Sequence, residues 1–120
     1  WEYVHSAPVA RANLAIVETP HALLGHTHDP RVFREDDGRV ETLAPGHDSV
    51  LRLDARRTLI NPGSVGQPRD GDPRASAALL DTDAQTVRWV RVPYPIGDVQ
   101  ARMRRSGLPA RLIERLDAGL

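Results

Sequence analysis

The stretch Ala22-Leu23-Leu24-Gly25-His26-Thr27-His28 decides how the rest of this chain is read. Its apolar residues stop at a glycine, which suits a short buried strand running into a loop. Two histidines follow at i and i+2, and on an extended segment such residues face the same side. Two imidazoles so placed can address one metal ion, or two ions about 3.5–4 Å apart. Gly25, without a side chain, lets the backbone turn sharply or approach a ligand closely. Taken alone, the His-x-His pair is equally compatible with two solvated loop histidines.

Upstream, Ser6 is placed to cap a helix over 7–18 whose first turn holds Pro8, with Val9, Ala12, Ile16 and Val17 near one face. Thr19-Pro20 ends it. Downstream, Arg31–Glu35 and Arg39–Leu43 flank Asp36-Asp37-Gly38, the pattern of a hairpin. Val50–Leu53 and Thr58–Ile60 read as short strands, and Ala75–Asp81 and Thr86–Pro93 as a longer pair joined around Asp83. Asp98 is placed to cap a helix ending near Ser106-Gly107. Pro109 can open another, with Leu108, Leu112, Ile113 and Leu116 on one apolar face. The order of helix, many strands and two helices predicts an α+β fold with a mostly antiparallel sheet.

At 120 residues the chain has room for one domain, and its formal net charge of zero excludes a globally basic nucleic-acid binder or a polybasic membrane-surface protein. With no cysteine, disulfide scaffolds, cysteine-zinc sites and thiol catalysis are excluded. All 16 basic residues are arginine, so no lysine nucleophile exists. Aromatic residues are only 4%, which leaves the core to Leu, Val, Ile and Ala. No apolar run approaches the roughly 18 residues of a membrane-crossing helix, and no signal pattern is visible, so the default expectation is cytoplasmic. The first residue is Trp1 rather than Met, so the chain is expected to be a processed, cut or incomplete piece.

The densest run of turn-forming residues is 61–73, Asn61-Pro62-Gly63-Ser64-Val65-Gly66-Gln67-Pro68-Arg69-Asp70-Gly71-Asp72-Pro73. It is long for a plain turn and so marks a candidate functional loop. One reading is an ordinary connection. The other is a rigid wall presenting backbone N–H groups and the Ser64 hydroxyl to an anion or a ligand histidine. In that second reading Asn61 orients the imidazoles and Arg69 contacts a phosphate. Ser64 lacks the Gly-x-Ser-x-Gly frame of a hydrolase nucleophile. His5, His21 and His47 stand alone and read as surface or structural. The Glu35–Asp37 run reads as a solvated turn and Arg102–Arg105 as the polar face of a helix.

Together, Leu24-Gly25-His26-Thr27-His28 and the later Ile60-Asn61-Pro62-Gly63-Ser64-Val65-Gly66-Gln67-Pro68-Arg69 resemble the C-terminal half of calcineurin-like metallophosphoesterases, closest to small bacterial and archaeal phosphodiesterase-type members. The likeness extends over essentially the whole chain. It implies that residues 1–120 are the C-terminal part of a single four-layer α/β/β/α sandwich domain. It also implies a centre of two divalent metal ions, with His26 on the second ion, His28 on the first, and the Gly25 and Asn61–Ser64 segments supporting them. Imidazole donors suit Mn, Fe, Ni or Zn better than Mg or Ca. The implied substrate is a phosphorylated small molecule or nucleotide, with neither stable nucleic-acid binding nor a membrane partner; self-association into a homo-oligomer stays open.

The likeness departs from the family in one respect. The family's remaining ligands lie on an upstream half, in motifs that include Asp-x-His, Gly-Asn-His-Asp/Glu and His-Gly, and these three are absent here. The Trp1-Glu2-Tyr3 start corresponds to a segment just past the last of them. The chain alone is therefore expected to be inactive, unable to assemble the two-metal centre, and marginally stable or dependent on a complementary half. Competing readings are weaker in spacing. A cupin-type site needs a Glu four or five residues after the pair, whereas Glu35 comes seven after His28. An amidohydrolase barrel needs about twice this length. The non-enzymatic alternative is a β-rich interaction module with incidental histidines.

Overall fold

The structure is a computed structural model and describes residues 3–120. Trp1 and Glu2, of the Trp1-Glu2-Tyr3 start, lie outside the described residues. The elements are α1 (Ala7–Ile16), β1 (His21–Leu23), β2 (Arg31–Asp36), β3 (Arg39–Leu43), β4 (Val50–Arg52), β5 (Thr58–Asn61), β6 (Ala75–Asp81), β7 (Thr86–Val92), α2 (Ile96–Arg105) and α3 (Ala110–Ala118).

Among the described residues seven strands form two sheets, ordered β1-β5-β2-β3 and β4-β7-β6. The α+β class, the antiparallel bias and the C-terminal helices are as the sequence predicts. The exception to the antiparallel rule is β1, which runs parallel to β5 with His21 opposite Thr58 and Leu23 opposite Ile60. A parallel pair needs a long crossover, and here residues 24–57 supply it, hairpin and β4 included. The β2–β3 hairpin turns on Asp37 and Gly38, both at positive φ (44° and 73°), as Asp-Gly hairpins require.

Two cores follow from the alternation of side chains along the strands. Val32, Ile60, Leu51, Leu53, Val87 and Trp89 are buried between the sheets. On the other face of the first sheet, Phe33 and Leu59 meet Val4 and two residues of α1, Ala10 and Leu14. The expected apolar face of α1 is thus displaced. Ala12 is exposed and Ile16 is 78% exposed, while Val9 and Val17 are partly buried at the margin. A helix reading Ala-Pro-Val-Ala-Arg-Ala-Asn-Leu-Ala-Ile is apolar nearly all round, so periodicity does not select its buried stripe.

Capping also differs from expectation. Ser6 occupies the N-cap of α1 but its side chain makes no capping bond. Helix α2 starts two residues before Asp98, with Pro95 at the N-cap, so Asp98 sits in the first turn, where it favours the helix dipole instead. Helix α3 begins after Leu108, which is exposed, and buries Ile113 and Leu116. The two C-terminal helices pack on each other. Inside that hairpin the Gln100 side chain donates to the Ile113 carbonyl (3.0 Å) and to Asp117 (2.7 Å). No helix is long and apolar enough to cross a membrane among the described residues.

Candidate functional site

The parallel β1–β5 pair brings two segments, 37 positions apart in sequence, side by side at their C-terminal ends. Leu24 N–H extends the pairing by donating to the Ile60 carbonyl (3.0 Å). Beyond that point the chain leaves both strands, and the His26–His28 loop comes to lie against the 61–73 loop.

The histidines do not sit on an extended segment. His26 (φ 76°) and His28 (φ 62°) are both left-handed, and the Thr27 N–H donates to the Gly25 carbonyl (3.0 Å) between them. The same-side argument from strand geometry therefore does not apply, because two left-handed residues coil the backbone tightly. Such conformations are uncommon outside glycine and concentrate at functional sites. Gly25 itself has ordinary φ, and a Cβ there would meet open space. The sharp turning expected of Gly25 is carried by the histidines that follow it.

What holds this coil is Asn61. Its side chain is almost fully buried and donates to Thr27 Oγ1 (2.8 Å) and toward the Gly25 carbonyl (3.4 Å). Its Oδ1 accepts the Gly63 N–H (2.9 Å), and its carbonyl accepts Trp89 Nε1–H (3.1 Å). Asn61 thus orients the histidine loop through Thr27 and the backbone, not through the imidazoles as expected. The residue that meets an imidazole is Gln67, whose carbonyl pairs with His28 Nδ1 at 2.8 Å. A proton on Nδ1 makes that bond and leaves Nε2 with its lone pair, the state of a metal-ligating imidazole. No side-chain pattern announces a backbone carbonyl in this role, so the sequence alone could not single out Gln67.

The other loop residues brace this contact. Arg69 N–H donates to the His28 carbonyl (3.0 Å), and the Arg69 side chain donates to Gln67 Oε1 (2.8 Å). Ser64 Oγ accepts the Gln67 N–H (3.0 Å) and its carbonyl accepts the Ser76 N–H (2.9 Å). Its hydroxyl is thus engaged within the loop and does not face an imidazole. Gly63 is at φ 88° with Ser76 packed against it, and Ser76 Oγ donates to the Pro62 carbonyl (2.7 Å). Farther along, the buried Arg91 guanidinium grips Asp70 with both carboxylate oxygens. Asp72 is held down to about 2, first by the hydrogen bond from Arg74 and also by the charge of Arg91.

His26 is held differently. Its ring stacks on Tyr3, with centroids 4.0 Å apart and planes 20° from parallel. His26 and Gly25 also border a groove of about 620 Å3, walled by Val4, Val17, Ala22 and Leu24. The three lone histidines each meet a backbone group. His5 Nδ1 meets the Tyr3 carbonyl, His21 Nε2 the Asp54 carbonyl, and His47 Nδ1 accepts the Arg91 N–H.

The donor chemistry fits a divalent metal in part. Two imidazoles are present, one with its tautomer set for ligation, on a braced loop. Among the described residues, no group of three or more His, Asp or Glu side chains could enclose an ion.

Comparison with known proteins places the chain in a family. The model of the calcineurin-like phosphoesterase superfamily domain matches residues 3–85. The crystal structure of a metallophosphoesterase from Sphaerobacter thermophilus superposes with a TM-score of 0.95 at 48% identity, over 100% of this chain and 50% of that one. An uncharacterized protein of Methanocaldococcus jannaschii is 38% identical over 97 residues, which is 80% of this chain and 38% of the relative. The chain therefore spans half or less of the length of the proteins it matches.

Proposed function

The chain belongs to the calcineurin-like phosphoesterase superfamily, and from that premise we propose that His26 and His28 are two arms of a dinuclear centre that hydrolyses phosphoesters. The family supports phosphoester hydrolysis with divalent metals at a general level. The finer reading assigns the second ion to His26 and the first to His28, with Mn, Fe, Ni or Zn as the metals. The remaining ligands, a bridging carboxylate among them, lie on polypeptide preceding Trp1. The single observation that supports this most is the His28 Nδ1 contact to the Gln67 carbonyl, because it places the proton on Nδ1 and leaves the Nε2 lone pair for a metal.

A divalent pair, when bound, supplies Lewis acidity toward water and toward the phosphoryl oxygens. This chain's own residues contribute position. Gln67 fixes the His28 ring, Asn61 and Thr27 fix the backbone between the imidazoles, and Ser64 fixes Gln67. Arg69, already next to this loop, is the cation that approaches a substrate phosphate. The substrate class is a phosphorylated small molecule or nucleotide, cleaved as a phosphodiester or a phosphomonoester. The 120 residues on their own are inactive, and the setting is cytoplasmic.

The test is manganese-dependent hydrolysis of a chromogenic phosphodiester by the full-length natural protein. His26→Ala and His28→Ala should each lower turnover by about 100-fold or more, as loss of a ligand exceeds the 10- to 100-fold typical of its outer partners. The interaction-module reading expects undiminished hydrolysis in both variants, or none even in the parent, and either result would displace the enzyme.

A further inference from the structure

We propose that Tyr3 is a positioning residue for His26, holding the imidazole in place by ring stacking; this rests on the reading of His26 as a metal ligand. The two rings lie face to face at contact distance, 4.0 Å between centroids and 20° between planes. His28 has a carbonyl to fix its ring, but His26 has no such partner. Among the described residues neither of its ring nitrogens makes a hydrogen bond. Its backbone is left-handed, at φ 76°, and the preceding Gly25 touches nothing with a Cβ position open to space. The phenol is therefore the constraint on the plane of this imidazole.

Tyr3 is itself anchored, although 47% exposed. The adjacent Val4 is buried against α1, Phe33 and Leu59. The Tyr3 carbonyl pairs with His5 Nδ1 at 2.8 Å. Stacking occupies one face of the His26 ring and neither of its nitrogens, and the residue stays exposed. An imidazole that donates its lone pair to a cation becomes electron-poor, and the electron-rich face of a phenol stabilises such a ring more than a neutral one. The stack thus both limits ring rotation and favours the ligated state. Tyr3 lies 23 residues before the histidine it supports, on the segment that leads into α1.

The proposal is tested in the full-length natural protein with Tyr3→Leu, Tyr3→Phe and His26→Ala, titrated with Mn2+ by calorimetry. Tyr3→Leu should weaken the affinity by about three- to tenfold, the range of an aromatic pair, while Tyr3→Phe stays within about twofold. In the metal-free protein, the His26 ring proton resonances should lose their upfield ring-current shift in Tyr3→Leu and keep it in Tyr3→Phe. Unchanged affinity in Tyr3→Leu, alongside a loss in His26→Ala, overturns the role of Tyr3 and leaves the ligand reading standing. Unchanged affinity in His26→Ala removes the ligand reading, and this proposal with it. An equal loss in Tyr3→Phe and Tyr3→Leu overturns stacking, because the hydroxyl would then carry the effect.

Discussion

A Cβ at Gly63 would stand 2.5 Å from Ser76 Oγ and 2.7 Å from Ser76 Cβ, on a backbone at φ 88°. Neither the conformation nor the space admits another residue. Gly63→Ala should therefore destabilise the protein by about 2–4 kcal/mol, combining left-handed strain with overpacking, as read by urea denaturation. The motif around it was legible residue by residue, because glycine, proline and asparagine declare backbone demands through their side chains. Gly25 is the counter-example. Its place in the motif suggested a steric need, yet the chain itself imposes none there. His26 and His28 take the left-handed φ values instead, and nothing in a histidine's chemistry signals that. Gln67 stayed hidden for a related reason, since a carbonyl oxygen belongs to every residue alike.

Among the elements, β7 and the β2–β3 hairpin follow their sequence patterns closely, since alternation and the Asp-Gly turn act within a few residues. The face of α1 and the start of α2 were less legible. The first depends on which of many apolar side chains the sheet covers, and the second on Pro95 opening the helix before the acidic residue expected to cap it. The 61–73 loop owes its form to contacts at both ends, and one of them is measurable by pH. Asp72 has its carboxyl lowered from 3.8 to about 2 by Arg74 and Arg91. A carboxyl more acidic in the folded state stabilises that state fully above its unfolded value and loses the contribution as pH falls through the folded one. Asp72→Asn should accordingly be less stable than the parent at pH 5, and the gap should narrow between about pH 4 and pH 2. Urea midpoints of both proteins across that range provide the measurement; a gap independent of pH would mean the charge is not what matters.

At the scale of the molecule, β1 and β6 are each at one edge of their sheet and meet across one groove of about 330 Å3, walled by Leu23, Leu24, Ala78 and Leu80. Leu23 is 65% exposed and Leu79 53% exposed on the same two strands. Edge strands with apolar flanks invite pairing. The isolated 120 residues should therefore melt broadly, with light scattering that grows with concentration; a sharp cooperative transition at high temperature would contradict this. The family and the two-sheet architecture were legible because paired motifs carry them. The parallel β1–β5 crossover was not, because no local pattern reports which strands become neighbours. The 61–73 loop joins these parts: it touches the histidine coil through Gln67 and Arg69, β6 through Ser64, β7 through Asp70, and the end of α3 where Gly71 N–H donates to the Gly119 carbonyl. Surface connections usually absorb insertions and deletions freely. This one behaves as a clasp, and a change of even one residue in its length would be felt at four separate places in the molecule at once.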